Sequence, residues 1–472
     1  MSSLPASAQE NSPLRIRDVA IGLSVPWEMV WGPDNQLWIT EHPGLISRVD
    51  PETGRLRRLK DLRGFVWEAA ESGMLSLGLD PSFPDSPYVY VVYTWRRRDS
   101  TVERLSRFTW DRGTDSLVSE WIMLDSIRGA DFRNGSRLLI EPDRSLFMTT
   151  GDATVRARAQ DPFSRNGKIL RINLDGTVPR DNPWASAPWP SSLVWSLGHR
   201  NPQGLCRGPH GILYASEHGE NDDDELNIIV PTWNYGWPNV HGLCDDTVNF
   251  VYDPKEREFC RDSLVVEPIR HWTPTIGPGS LFYYTSERIP LLTNSLLMIT
   301  LGKQKPELPE ASYSLVRMTL SPDGGHVLAD SILLSRQLGR LRAICASPDG
   351  RIFLSTSNRD GRAIDSLGFP RTGDDRIVEL VWDASSAPIE EANGIEATIT
   401  PHPLQSRSVM SWEDVLGDGT WRIYDARGRT VKHGIFEGGN RLEIQRDALP
   451  AGMYTVVVAD GHRQAVVRIV TE

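Results

Sequence analysis

One local pattern recurs along much of the chain and constrains the fold more than any other feature. A turn containing Pro, then Asp or His, is followed at once by an apolar strand that includes an aromatic residue. Pro presets the φ angle of such a turn, and an alternating apolar run is typical of a strand entering a sheet. Recurring β units of this kind predict a β-propeller, and no long stretch has a helical period. The pattern is found as GPDNQLWITE from Gly32, EPDRSLFMTTGD from Glu141, GPHGILYASEHG from Gly208, SPDGRIFLSTSN from Ser347 and, more loosely, DPSFPDSPYVYVVYT from Asp80.

The composition argues against two classes of partner. The 472 residues include 51 basic and 62 acidic side chains, which gives a formal net charge of −11. Proteins that bind nucleic acid derive their affinity from clustered Lys and Arg, so we expect no nucleic-acid partner. No apolar run approaches the roughly 18 residues needed to cross a bilayer, so we also expect no membrane span.

The cysteines and the N-terminus bear on the cellular compartment. Cys206, Cys244, Cys260 and Cys345 form no CxxC motif and no Cys/His zinc spacing. Cys244 and Cys260 bracket a polar loop that a disulfide could close in an oxidising compartment, and two free thiols are the alternative. There is no complete signal peptide, but the ASA before Gln9 is typical of the end of a signal-peptidase site. A plain Ser/Ala leader would have the same composition.

Polar side chains are concentrated between Val194 and Val240. Three clusters, GHRNPQGL, EHGENDDDE and NYGWP, alternate with apolar runs of strand length such as LYAS and LNIIV. Because the clusters bound predicted strands, the sequence predicts a site where several strands end.

These clusters carry a family resemblance. GHRNPQGL, then EHG with DDE and LNxI behind it, then NYGWP, resembles the soluble pyrroloquinoline-quinone (PQQ)-dependent sugar dehydrogenases, the glucose/sorbosone dehydrogenase family. The resemblance covers roughly Leu14 to Asp383 and implies an all-β, six-bladed propeller with its site on the axial face. It implies a quinoprotein oxidoreductase that uses PQQ and Ca²⁺ to oxidise aldose sugars to lactones. The electron acceptor that it implies is external and is not identified by the sequence.

The resemblance implies two calcium sites. The backbone carbonyls of Gly219 and Glu220 match those that hold the calcium beside the quinone, although family members usually have Pro at the second position. Calcium prefers oxygen ligands, which a carbonyl provides with either residue. The carboxylate of Glu225 and the carbonyl of Tyr235 match a structural calcium site. An isolated DDDE run would more often be only a solvated loop.

The resemblance also implies a set of cofactor-binding side chains. Arg340 and Arg342, in GRLRAICASPDG, alternate along a predicted strand and therefore point to one face. Two guanidinium groups on one face suit carboxylates, and their spacing matches the family's arginine pair, although an exposed strand face could carry the same pattern. The other implied cofactor-binding residues are Glu71, Arg200, Asn201 and Lys303, the last of which is one residue out of register.

The catalytic base of the family is missing. The family segment reads His-x-Gly-Gly-Arg-Leu, but here it is DFRNGSRLLIEPD, so Arg133 occupies the position of the His while Asp152 keeps that of its acidic partner. Arginine stays protonated at any working pH and cannot accept a proton. Asp131, Asp152 or Glu71 could replace the base, or the protein could be a non-catalytic propeller that binds a glycan or a protein. Arg133, Asp152 and Arg200 are therefore the catalytic candidates.

Composition changes after Trp382. A small, acidic and polar segment is followed by strand signals that include IYDARGR, LPAGMY and VVRIV. These resemble the C-terminal sorting domain of the type IX secretion pathway, which implies a secreted or cell-surface protein and contact with that machinery. An accessory β-sandwich without an export role is the alternative. The predicted domains are a propeller over residues 12–384, a linker over 385–396 and a small β-sandwich over 397–472.

Overall fold

At each of its five positions, the recurring turn leads into the second strand of a four-stranded antiparallel sheet. The described residues of the computed structural model form six such sheets, which confirms the predicted six-bladed β-propeller. The first five blades are β2–β5 (Pro26–Trp31, Leu37–Glu41, Leu45–Val49, Leu56–Asp61), β6–β9 (Met74–Leu79, Tyr88–Arg97, Ser100–Asp111, Ser116–Arg128), β10–β13 (Gly135–Ile140, Ser145–Thr150, Lys168–Asn173, Val194–Leu197), β14, β15, β16 and β19 (Pro202–Arg207, Leu213–Glu217, Asp224–Ile228, Arg270–Trp272), and β20–β23 (Pro278–Tyr284, Ser295–Thr300, Leu315–Leu320, Val327–Leu333).

The sixth blade joins the two ends of the propeller. Its strands are β24 (Leu341–Ala346), β25 (Ile352–Thr356), β26 (Arg376–Trp382) and β1 (Leu14–Ile21). β1 pairs antiparallel with β26, so the strand nearest the N-terminus completes the last blade. The ring is thus closed by backbone hydrogen bonds between segments that are far apart in the sequence.

The structure describes only part of the chain, and some predictions fall outside it. Lys303, the ASA motif before Gln9 and most of the predicted linker over residues 385–396 lie outside the described residues. The described ranges are 13–248, 251–263, 265–302, 308–383, 395–400, 402–404, 406–425, 430–446, 449–460 and 464–471.

Apolar layers between adjacent blades form the core. Successive side chains of a strand point to opposite faces, so a central strand packs against both neighbouring blades. In β11, for example, Phe147 packs with Leu205 of the fourth blade, whereas Met148 packs with Tyr90 of the second. An equivalent cluster lies between each of the six pairs of neighbouring blades, so every blade is held on two sides.

An insertion between β16 and β19 contains the predicted disulfide. Cys244 and Cys260 are bonded, with their Cα atoms 6.2 Å apart, which confirms the pairing. The loop that they close is not wholly irregular, because a helix, α1 (Lys255–Ser263), begins within it and contains Cys260. The Asp253 carboxylate accepts a hydrogen bond from the Lys255 N–H at 3.0 Å and so satisfies a donor at the start of this helix. The same insertion carries the short hairpin β17–β18 (Thr247–Val248, Val251–Tyr252).

A second all-β domain follows the propeller. Its sheet wraps around an apolar core that contains Met410, Trp412, Val456 and Ile469, in agreement with the predicted small β-sandwich. The first strand runs parallel to the last and also pairs antiparallel with the second. No helix among the described residues is long and apolar enough to cross a membrane. The strands are β27 (Ile395–Thr400), β28 (Arg407–Asp425), β29 (Thr430–Gln445), β30 (Gly452–Ala459) and β31 (Gln464–Thr471).

Candidate active site

Two loops from each blade meet at one face of the propeller. Because neighbouring strands are antiparallel, the start of the first strand and the end of the second lie at the same end of a blade. A cleft of about 350 Å³ opens among these loops. Its lining combines charged side chains and backbone from loops of the second, fourth, fifth and sixth blades, namely Glu71, His218, Gly219, Asn221, Asp224, Thr275, Gly277, Leu301, Gly302, Arg340 and Arg362.

Three arginines converge on one carboxylate beside the cleft. Arg340 Nε and Arg342 Nη2 lie 3.0 and 3.1 Å from Asp360 Oδ2, and Arg362 Nη2 lies 3.6 Å from the same oxygen. Burial opposes ionisation of Asp360, but the arginines lower its pKa below the ordinary value. Arg342 also lies over the Trp27 ring, with its guanidinium carbon 3.9 Å from the ring centroid. The predicted arginine pair therefore does face one direction, but an internal carboxylate that sequence reasoning missed lies between the two.

Glu71 forms the opposite wall of this charged cluster. Its Oε1 accepts a hydrogen bond from Arg362 Nη1 at 2.9 Å, and its Oε2 accepts from the Arg133 N–H at 2.9 Å and from Asn201 Nδ2 at 3.4 Å. Burial alone would raise the pKa of Glu71, but Arg362, the His218 ring and the Arg133 N–H together lower it to about 2. Glu71 is therefore an ionised carboxylate in the cleft wall.

Arg133, which is predicted to replace the family's base, is held in ion pairs. Its Nη1 lies 3.3 Å from Asp152 Oδ2, and its Nη2 lies 3.5 Å from Glu220 Oε1. Asp152 is completely buried and also accepts hydrogen bonds from Trp237 Nε1 at 2.9 Å and from the Thr154 N–H at 2.7 Å. Asp152 thus lies beside Arg133, as the sequence predicted. Arg133 and Glu220, the two residues predicted to depart from the family pattern, contact each other.

Glu217, at the end of β15, fixes the His-Arg-Asn turn. One carboxylate oxygen accepts hydrogen bonds from the Arg200 N–H and, at 3.1 Å, from the Asn201 N–H, while the other lies 2.9 Å from His199 Nδ1. The Arg200 side chain donates to the His218 carbonyl at 2.9 Å. Burial and a neighbouring guanidinium lower the pKa of Arg200 to about 10, so it remains charged at neutral pH. His199 braces the turn and does not line the cleft.

The acidic run after Gly219 is packed and is not a solvated loop. Asp222 and Asp224 are each only 1% exposed. The Asp224 carboxylate accepts hydrogen bonds from the N–H groups of Gly219, Ile276 and Gly277 at 2.6 to 2.8 Å. A Cβ atom at Gly219 would lie 1.8 Å from the Asp222 carbonyl oxygen, so only glycine fits this turn.

An ion-sized void lies next to the predicted structural calcium ligands. Glu217 and Glu225 are paired residues on β15 and β16, and both line a void of about 10 Å³ together with Gly219 and Tyr235. Removal from water and the charge of Glu217 raise the pKa of Glu225 well above its ordinary value. A cation in the void would offset both effects, so the donors suit calcium. No three His, Cys, Asp or Glu side chains of the described residues form a metal cluster, so such a cation would depend on backbone carbonyls.

Together, the fold and the site define a β-propeller protein whose axial cleft suits an anionic ligand. The family model described as glucose/sorbosone dehydrogenase matches residues 23–365, and that of the secretion system C-terminal sorting domain matches residues 398–472. The chain therefore belongs to the glucose/sorbosone dehydrogenase family, which confirms the resemblance found in the sequence.

Named relatives and a solved structure are similar over most of the propeller. Quinoprotein glucose dehydrogenase B of Acinetobacter calcoaceticus is 29% identical over 413 residues, covering 72% of this chain and 84% of that protein. Aldose sugar dehydrogenase YliI of Escherichia coli is 26% identical over 352 residues, covering 72% and 90%. The PQQ-bound form of aldose sugar dehydrogenase from Streptomyces coelicolor is 30% identical, with a TM-score of 0.63, covering 78% of this chain and 98% of that one.

Proposed function

We propose that this protein is a PQQ- and calcium-dependent dehydrogenase that oxidises aldose sugars to lactones and passes the electrons to an external acceptor. The observation that carries the proposal is a pair of guanidinium donors without an acceptor in the described part of the chain, that of Arg362 in the lining of the cleft and that of Arg200 in the lining of the neighbouring void. The Nε atoms of Arg200 and Arg362 are buried and contact no acceptor among the described residues. Buried donors are normally satisfied, and the carboxylate and carbonyl oxygens of a tricarboxylated quinone would satisfy these two.

The residues in and next to the cleft fit such a cofactor, and of those that would hold its carboxylates Arg340 and Arg362 line the cleft. Arg340, Arg342 and Arg362 would hold its carboxylates, and Arg200 with Asn201 would contact its ring oxygens. The carbonyls of Gly219 and Glu220 would hold the calcium beside it. Such a quinone, held with calcium, would supply the two-electron acceptor for the C–H bond of the sugar.

The sugar hydroxyl must lose a proton to one of this protein's own residues. Arg133 cannot accept it, and both oxygens of Asp152 are already engaged within a buried site. Glu71 is ionised and lines the cleft, whereas Asp131 and Asp152 do not line it, so Glu71 is the best placed of the three carboxylates predicted as substitutes. Its pKa of about 2 makes it a weak base while Arg362 holds it.

Reconstitution tests the proposal. Purified protein loaded with PQQ and Ca²⁺ should reduce an artificial acceptor when it is given aldoses, and a chelator should abolish this reaction. The matched variant Glu71→Gln, which is nearly isosteric but cannot accept the proton, should lower kcat by about 10²-fold or more. Bound cofactor without turnover on any sugar would reject the proposed activity.

One observation favours a second candidate, a non-catalytic propeller that binds a glycan or a protein at the same face. Arg133 is tied to Asp152 and Glu220 at the position where the base is expected. Absence of quinone binding in a spectroscopic titration, together with binding of a glycan or protein ligand at the cleft, would favour this candidate.

We also propose that the protein is exported to the cell surface or beyond and that the C-terminal domain contacts the type IX secretion machinery. The match of residues 398–472 to the sorting-domain model supports this proposal. The proposed boundaries are a propeller over residues 12–384, a linker over 385–396 and a sorting domain over 397–472. Removal of residues 397–472 should retain the propeller inside the cell, whereas unchanged export would reject the role of that domain.

A further inference from the structure

Arg362 connects the sixth blade to Glu71 across the cleft. It follows β25, whereas Glu71 lies on the loop between β5 and β6, and the two side chains meet at 2.9 Å. Arg362 also approaches Asp360 at 3.6 Å and the Ala70 carbonyl at 3.5 Å. Its Nε is buried and contacts no acceptor within the described part of the chain. Because Arg362 lines the cleft, an incoming oxygen can reach this guanidinium.

The cluster around Arg362 carries more positive than negative charge. Among the described residues, Arg340, Arg342 and Arg362 form ion pairs with two carboxylates, those of Asp360 and Glu71. The Asp360 side chain has no exposed surface and is shared by all three arginines, whereas that of Glu71 is 13% exposed and lines the cleft. Of the two carboxylates, Glu71 is therefore the one that an entering anion can displace.

We propose that Arg362 binds one carboxylate of the quinone and that the Glu71 carboxylate occupies this binding position in the ligand-free protein. The inference rests on the proposed function, because it takes a carboxylated quinone as the ligand. The cofactor carboxylate replaces the Glu71 carboxylate on the Arg362 guanidinium, and the total number of ion pairs is unchanged. Glu71 remains held by the Arg133 N–H and by Asn201.

This exchange makes Glu71 a stronger base. Arg362 is the largest of the influences that lower the pKa of Glu71 to about 2, so its loss moves that pKa back toward the ordinary range. The other groups that face Glu71 are the His218 ring, the guanidinium of Arg342 and the Arg133 backbone, and these stay in place. The vacated oxygen, Oε1, can then hold the proton of the sugar hydroxyl. Binding of the cofactor and activation of the base are thus linked through one arginine.

Quinone affinity, measured by absorbance titration of the full chain with PQQ in the presence of Ca²⁺, tests the exchange without requiring turnover. Arg362→Met should weaken binding by about 10-fold or more, because a hydrogen-bonded charge pair is lost. Glu71→Gln should tighten binding several-fold, because the competing carboxylate is gone, even though kcat decreases. In the double variant of Arg362→Met and Glu71→Gln, removal of the Glu71 carboxylate should no longer tighten quinone binding. Arg359→Met, an exposed arginine on the same loop, is the matched control and should bind as wild type does.

The possible outcomes separate this inference from the proposed function. Weaker quinone binding by Glu71→Gln, to the same extent as by Arg362→Met, would mean that the pair only supports the loop, and it would overturn the exchange. Equal affinity of Arg362→Met and Arg359→Met would overturn it as well. Arg362→Lys, which keeps the charge, should recover part of the affinity if Arg362→Met is poorly folded. Absence of quinone binding by the wild-type protein itself would instead reject the proposed function.

Discussion

Replacement of Arg133 by His is the most informative perturbation of the site, because it introduces a proton acceptor beside Asp152. Arg133 Nη1 lies 3.3 Å from Asp152 Oδ2, and its side chain is 21% exposed, so a smaller imidazole has room there. The buried Asp152 carboxylate would orient this ring and stabilise its protonated form. Glu220 would lose one guanidinium partner but would keep Arg156, so the local fold should persist.

Arg133→His should raise kcat by the usual contribution of a general base, which is about 10²- to 10⁴-fold in rate, or about 3 to 5 kcal/mol of the activation barrier. The loss of one partly exposed ion pair should cost at most about 1 kcal/mol of stability. The assay is kcat with PQQ, Ca²⁺ and an aldose, followed by reduction of an artificial acceptor. The rate should rise with pH as the introduced imidazole loses its proton, because only the neutral ring accepts a proton, and the midpoint should lie above the ordinary histidine pKa of about 6.5 because Asp152 stabilises the protonated ring.

Arg133→Gln is the matched control for this prediction, because it removes the charge without supplying a base. Equal rates for Arg133→His and Arg133→Gln would refute the reasoning that the missing base limits this protein. Activity that appears only in Arg133→His would instead identify the natural protein as a binder that has lost its catalytic group.

Three further predictions concern stability. Arg137→Met should lower the free energy of unfolding in urea by about 3 to 5 kcal/mol, because it leaves the Glu28 carboxylate buried without its charged partner; the two side chains of this ion pair are each 6% exposed. A loss below about 1 kcal/mol would contradict this. Replacement of both Cys244 and Cys260 by Ser should cost about 3 kcal/mol, since the bond closes a loop between positions 16 apart, and an unchanged Tm would contradict it. Burial lowers the pKa of Lys168 to about 7, whereas its pKa in the unfolded chain is near 10.5. Between these two pH values the unfolded chain binds more protons, so the free energy of unfolding of the wild type should rise with pH, by at most about 1.4 kcal/mol per pH unit, relative to that of Lys168→Met. An equal dependence of this free energy on pH in the two proteins would contradict this.

The sequence predicted those parts of the fold whose pattern lies within a short run of neighbouring residues. The turn before β3, β7, β11, β15 and β25 combines Pro with an alternating apolar run, and both are read from neighbouring residues. The partner of β1 could not be predicted from its own residues, because its pairing with β26 connects segments more than 350 positions apart and depends on closure of the ring. The same limit applies to the contact between Arg133 and Glu220, which joins two loops from different blades.

The site was predictable only in part. Arg200, Gly219 and Arg340 were found because their motifs match a family, and the structure brings all three to one face. Asp360 and Arg362 were missed, although SNRDGR follows β25 in the way that GD follows β11 and HG follows β15. Polar clusters at the ends of second strands were therefore a usable signal. The pairing of Arg362 with Glu71 depends on the three-dimensional approach of two blades.

The central claim is that the axial cleft binds a tricarboxylated quinone through calcium and paired guanidinium groups. An absorbance titration with PQQ tests this claim most directly. The account predicts saturable binding of one quinone per chain in the presence of Ca²⁺, loss of that binding with a chelator, and at least about 10-fold weaker binding by Arg340→Met. Absence of any absorbance change, or binding that neither the chelator nor Arg340→Met affects, would contradict it.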